Sequence, residues 1–115
     1  MERIIDHEHF MNFCGSINQV MYTTHFLKDI KHKPFLKDID KQIVNPNACG
    51  FTELHKFEER IEGVDLFRAK KKGVHIVYGI TETKDLIFLR AIKSFMEYEK
   101  FLSNKKLIKE IIHNL

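Results

Sequence analysis

The chain has 115 residues, a formal net charge of +3 and 43% hydrophobic residues, ten phenylalanines among them. That is the length of one ordinary domain, with enough apolar mass for a core, and no apolar run nears the roughly 18 residues that span a bilayer. The opening Met1-Glu2-Arg3-Ile4-Ile5-Asp6-His7 lacks a signal peptide's basic-then-apolar order, so a cytoplasmic protein without a membrane partner is expected.

Five glycines and two prolines, no internal repeat and no linker-like tract make residues 1–115 read as one domain. His9-Phe10-Met11-Asn12-Phe13 suggests a short helix ended near Gly15. From Ser16 the spacing of Ile17, Val20, Met21, Thr24 and Leu27 is helical. Val20 to Thr24 is also β-prone, so a strand leading into a helix fits equally well. Phe35, Leu36, Ile39 and Ile43 define a second helix with Pro34 in its first turn, stopping before Asn45-Pro46. Asn47-Ala48-Cys49-Gly50 reads as a loop, and Thr52 to Glu59 as a short helical or irregular connection.

Asp65–Lys70 is predicted as a strand, Lys71-Lys72-Gly73 as a turn and Val74–Ile80 as a strand. A polar turn over Thr81–Asp85 then leads to an apolar strand at Leu86–Ile92. Short turns between three strands imply an antiparallel meander. Ser94-Phe95-Met96-Glu97 has the pattern of a capping box, starting a helix with Phe95, Tyr98 and Leu102 along one side. Beyond Ser103, Leu107, Ile108, Ile111, Ile112 and Leu115 form an amphipathic stripe that covers the sheet or binds a partner. The expected fold is α+β: N-terminal helices on a twisted antiparallel sheet, then C-terminal helices.

Charge is divided unevenly. Residues 1–65 hold eight Lys/Arg against eleven Asp/Glu, a balance of −3, and residues 66–115 hold eleven against five, a balance of +6. Such asymmetry suggests an anionic partner for the second half, or a lysine-rich solubilising surface. Register decides whether the cations converge. A two-residue turn at Lys72-Gly73 pairs Lys71 with Val74, Lys70 with His75 and Arg68 with Val77. Paired residues point the same way, so Arg68, Lys70 and His75 share one face, and Phe67, Ala69, Val74, Ile76 and Tyr78 form the core side. A three-residue turn would flip one set of side chains; the apolar arithmetic favours the first register.

Arg90 and Lys93 close the third strand of the meander, and Tyr98 lies one turn into the next helix. Guanidinium, ammonium, imidazole and phenol groups in one cluster suit phosphodiester cleavage. Cations hold the phosphate and offset transition-state charge, while other groups move protons from the ribose 2′-OH and to the leaving oxygen. Tyr98 would also stack on a base. Plain alternatives stand beside these roles: Arg68 pairs with Glu59 or Asp65, Lys70, Lys71 and Lys72 form a solvated turn, and Tyr98 packs in the core. Arg90, inside an apolar run, must reach solvent or meet a carboxylate.

These residues resemble the RelE/ParE superfamily of toxins from bacterial and archaeal toxin–antitoxin pairs, nearest to its RelE/HigB-like ribonucleases. The resemblance spans residues 50–102, and more loosely 20–50. It rests on Gly63-Val64-Asp65-Leu66-Phe67-Arg68-Ala69-Lys70, on Val74-His75-Ile76-Val77-Tyr78, and on Ile87 to Lys93 with Tyr98. The family's helical hairpin would match Phe26 to Val44. Residues 1–19 and 103–115 are then an extra N-terminal segment and a C-terminal helical extension. Arg68 and Lys70 match the family's first hairpin cations, His75 stands where many members have arginine, and Lys93 and Tyr98 match the closing basic residue and tyrosine. Lys71 and Lys72 lengthen the turn and are expected to bind RNA. No Gly-His-Arg precedes Tyr98, where this chain has Lys93-Ser94-Phe95-Met96-Glu97.

The resemblance implies a toxin that cleaves mRNA, often on the ribosome, and is neutralised by a bound antitoxin. The other readings are a ParE-like toxin that poisons DNA gyrase without RNase chemistry, and a non-catalytic nucleic-acid-binding regulator. His7 with His9, and His25 with His32, lack a third ligand at a metal spacing, so neither metal nor cofactor is expected. Cys14 and Cys49 read as reduced thiols with no nucleophilic signature.

Overall fold

The computed structural model describes residues 6–47 and 49–115, so residues 1–5 of the extra N-terminal segment and Ala48 of the expected loop lie outside the described residues. The first helix, α1 (His7–Cys14), is started by Asp6, whose Oδ1 accepts from the amides of Glu8 at 2.8 Å and His9 at 3.2 Å. It ends on Gly15, at φ 67°, a left-handed position that suits glycine. Of the two readings for Val20–Thr24, the structure takes the strand: β1 (Gln19–Tyr22) runs into α2 (Thr24–Ile30). Thr23 makes the switch, its Oγ1 accepting from the Phe26 amide at 3.0 Å and donating to the Leu89 carbonyl at 2.8 Å. A 3-10 turn (Pro34–Leu36) and α3 (Ile39–Val44) follow, ending before Asn45-Pro46.

Residues 52–59 are not a helical or irregular connection but strand, interrupted by register shifts. They belong to an eleven-residue strand, β2 (Phe51–Ile61), followed by β3 (Val64–Lys71), β4 (Val74–Ile80) and β5 (Asp85–Ile92). The sheet order is β1-β5-β4-β3-β2. β2 to β5 form an antiparallel meander, but β1 pairs with β5 in parallel, so the sheet is mixed rather than wholly antiparallel. The β3–β4 register is the two-residue one, Lys70 opposite His75 and Arg68 opposite Val77. Lys72 at φ 49° and Gly73 at φ 77° are both left-handed, as a turn matched to strand twist requires.

Both faces of the sheet are covered, which explains the near-continuous apolar runs of β3, β4 and β5. On one side Phe10, Phe26, Leu36, Ile39 and Ile43 of the N-terminal helices pack on Phe67, Ala69, Ile76, Tyr78 and Phe88. On the other, α4 (Phe95–Ser103) and α5 (Lys105–His113) lay Tyr98, Phe101 and Ile108 over Leu66, Val77, Ile87 and Leu89. Ser94 caps α4, its Oγ accepting from the Glu97 amide at 3.3 Å. The amphipathic stripe thus covers the sheet through Ile108, with Leu107, Ile111 and Ile112 partly buried beside it and Leu115 left exposed.

A polar chain fastens α1 to the meander. The Tyr78 hydroxyl accepts from the His55 amide at 2.9 Å and donates to His55 Nδ1 at 2.7 Å. His55 Nε2 is left with the proton, which it shares with His7 Nδ1 at 2.9 Å. Phe10 stacks on the buried His55 ring, centroids 3.6 Å apart. Among the described residues no helix is long and apolar enough to cross a membrane.

Candidate functional site

The face carrying Arg68 and His75 is the one that α4 and α5 roof. Arg68 is 6% exposed, and a guanidinium buried that deeply must be paired. Two carboxylates of β2 do this: Glu53 bonds Nη2, and Glu58 Oε1 lies 3.9 Å from Nε. Neither is the Glu59 or Asp65 anticipated from sequence. The Tyr98 hydroxyl completes the group, accepting from Arg68 Nη1 at 3.3 Å and donating to Glu58 Oε1 at 2.9 Å. Arg68 also lies 5.2 Å from the Tyr98 ring centroid.

His75 stacks on Tyr98, centroids 4.6 Å apart and planes 16° from parallel. Burial, with help from the Arg68 and Lys70 charges, lowers the pKa of His75, so the ring is neutral at physiological pH. Burial and the Glu58 carboxylate hold the Tyr98 phenol well above its ordinary value, and it stays protonated. Among the described residues, the buried side-chain nitrogens left without a hydrogen-bond partner are Arg68 Nε and His75 Nδ1. Both belong to this cluster. Unpaired buried nitrogens are uncommon and mark a place where water or a ligand completes the structure. The cluster opens on a cleft of about 390 Å³ whose walls include Lys56, Glu58, Arg68, Phe95, Tyr98 and Lys105.

The structure therefore joins Arg68, His75 and Tyr98, with Lys70 beside them in the row of His75. Lys93 is exposed at the β5–α4 junction, two residues before Phe95. Arg90 stands apart, taking the carboxylate alternative: Nε and Nη2 grip Asp29 at 2.6 and 3.1 Å, over the Phe101 ring. Asp29 also accepts from the Ala91 amide at 2.9 Å, where α2 continues along the edge that β1 has left. Lys71 and Lys72 lie toward the opposite face. Lys71 donates to Gln42 Oε1 at 2.6 Å, and Lys72 sits 5.0 Å from the Phe35 ring centroid.

Glu53 and Glu58 escaped the sequence reading because their strand did. The signal available was indirect: a central strand carrying Arg68 needs carboxylates on the neighbouring strand. Cys14 is buried, which pushes its thiol up to about 12 and removes it as a nucleophile. Among the described residues no three His, Cys, Asp or Glu side chains gather to hold a metal ion. Comparisons of the chain with protein-family models, curated proteins and solved structures returned no match.

Proposed function

We propose that this chain is a toxin of a toxin–antitoxin pair, an endoribonuclease that cleaves mRNA, free or engaged by the ribosome, in the cytoplasm. The observation that carries the reading is the cluster under α4: a carboxylate, a protonated phenol, a guanidinium and a neutral imidazole in contact beside a cleft, with two nitrogens still unpaired.

The base in this scheme is Glu58 rather than His75, because Glu58 is a carboxylate that already accepts a hydrogen bond from a hydroxyl and the imidazole is buried beneath Tyr98. Glu58 takes the ribose 2′-OH proton, O2′ bonds to the adjacent phosphorus, and the bond from phosphorus to O5′ breaks. Arg68 offsets the negative charge growing on the phosphoryl oxygens. Tyr98 or Lys93 supplies the proton for the departing O5′, and Lys70 and His75 support the guanidinium and the phenol from the next row. Arg90 acts through position: clamped to Asp29, it fixes the end of β5 from which Lys93 and α4 depart. Entry of a phosphate requires Glu53 to release Arg68. Lys72 remains as an RNA contact on the turn, whereas Lys71, 7% exposed and bonded to Gln42, is withdrawn from that role, and the partner that silences the enzyme is a cognate antitoxin.

The purified protein should convert single-stranded RNA to fragments ending in 2′,3′-cyclic phosphate. Glu58→Gln should lower kcat by about 10²–10⁴-fold, the range of general acid–base groups. Glu53→Gln, which frees Arg68, should lower KM instead. RNA left intact both when free and when bound to added ribosomes, or a Glu58→Gln protein cleaving at the wild-type rate, overturns the proposal. Growth arrest with DNA damage and intact mRNA would point to the gyrase-directed alternative; salt-sensitive binding without cleavage would point to a regulator.

A further inference from the structure

We infer that Phe95 is a stacking platform for an unpaired nucleobase beside the phosphate held at Arg68. The inference rests on the ribonuclease reading for its substrate and on separate observations for its geometry.

Phe95 is the first residue of α4 and is 53% exposed, although it is a large apolar ring in a chain that buries most of its aromatics. Its exposure lies at a site rather than on a random surface, since the ring lines the cleft shared with Arg68 and Tyr98. It also ends an aromatic ladder. Phe95 is 5.8 Å from His75 and 6.1 Å from Tyr98, and His75 and Tyr98 are stacked on each other. The inner rungs are buried and fixed, which positions the outer ring while leaving part of it bare.

The second observation is the pair of unpartnered nitrogens, Arg68 Nε and His75 Nδ1, buried beside that ladder. An occupant that satisfies this site must combine a flat apolar surface with hydrogen-bonding or anionic groups. An unstacked base with its phosphate is such an occupant. RNA-binding proteins take up single-stranded bases on aromatic faces because every base has a π-face, while cations follow the backbone. Lys93, exposed just before α4, and Lys70, in the row of His75, are placed to meet that backbone. Paired RNA would leave no free base face and would gain nothing from Phe95.

The chain contains no tryptophan, so Phe95→Trp installs a single reporter at this position. The probe is a short single-stranded 2′-O-methyl RNA oligonucleotide, which the proposed chemistry cannot cleave. Its addition should quench the reporter saturably, and an abasic oligonucleotide of the same length should not. Phe95→Ala should weaken binding about tenfold, equivalent to about 1.4 kcal/mol. Phe95→Tyr should restore affinity and Phe95→Leu should not, which separates ring stacking from mere bulk and holds even where the alanine variant folds poorly. Equal quenching by the abasic strand, no quenching, or full affinity in Phe95→Leu overturns the inference. So does unaltered RNA binding in Phe95→Ala accompanied by loss of a protein partner. The two readings fail separately. Cleavage of RNA with an unquenched reporter removes the platform alone; quenching and discrimination without any cleavage by the wild-type protein removes the nuclease and leaves the platform.

Discussion

His55 is a buried imidazole whose two ring nitrogens are both engaged, one by Tyr78 and one by His7. Burial lowers its pKa to about 3 from an ordinary 6.5, and the neighbouring His7 pushes the same way. The unfolded chain therefore binds a proton at this residue below pH 6.5 that the folded chain refuses. Stability from this group is complete above that pH and drains as pH falls toward 3, by up to about 1.4 kcal/mol per pH unit. Urea unfolding at a series of pH values should show this slope, and His55→Gln should flatten it; parallel curves for the two proteins would discard the assignment. Residues were legible in sequence where a single neighbour decides their role. Ser94 announced a cap, and Arg90 announced a need for a carboxylate. His55 was not legible, because its partners sit 48 positions upstream and 23 downstream.

The meander was legible as a set of elements because β3, β4 and β5 alternate with short polar turns and carry core residues on both faces. β2 hid for a physical reason. It is an edge strand with register shifts between Phe51 and Glu53, Glu53 and Lys56, and Phe57 and Glu59, so the two-residue period is broken three times. Its acidic residues also lower its strand propensity while protecting the edge from pairing with another chain. The β2-borne half of the candidate site, Glu53 and Glu58, disappeared with it. Where β3 and β4 pair, Gly79 has a requirement that its sequence context does not reveal: an added Cβ would sit 2.6 Å from Val64 Cγ1. Gly79→Ala should destabilise the protein by about 1–3 kcal/mol, as overpacking a filled core does. A chemical-denaturation midpoint equal to wild type would contradict that packing.

Across the molecule, the acidic first half and the basic second half are folded onto each other. Arg68 meets Glu53 and Glu58, Lys105 meets Glu59, Lys109 and His113 meet Glu62, and Arg90 meets Asp29. Among the described residues, four of the eleven Lys/Arg of residues 66–115 (Arg68, Arg90, Lys105 and Lys109) are paired with carboxylates of the first half, so the asymmetry that suggested an anionic partner is met internally only in part. Among the described residues of the second half, the exposed Lys72, Lys93, Lys100 and Lys106 carry no ion pair. RNA binding should accordingly depend only mildly on salt. With about three phosphate contacts to a single strand, the slope of log affinity against log salt should be near −2. A slope steeper than about −5 would mean that the internal pairs open on binding.

The parallel pairing of β1 with β5 carries a consequence for the order of assembly. Thr23 and Leu89, which meet where the pairing of these strands ends, are 66 residues apart in the chain. A strand made early must wait at the sheet's margin for one made late, while the hairpins between them close locally and sooner. The seating of β1 on β5 is accordingly expected as the last step in building the sheet, and pulse-labelled hydrogen exchange during refolding, with amides of β1 protected after those of β3 and β4, would check it.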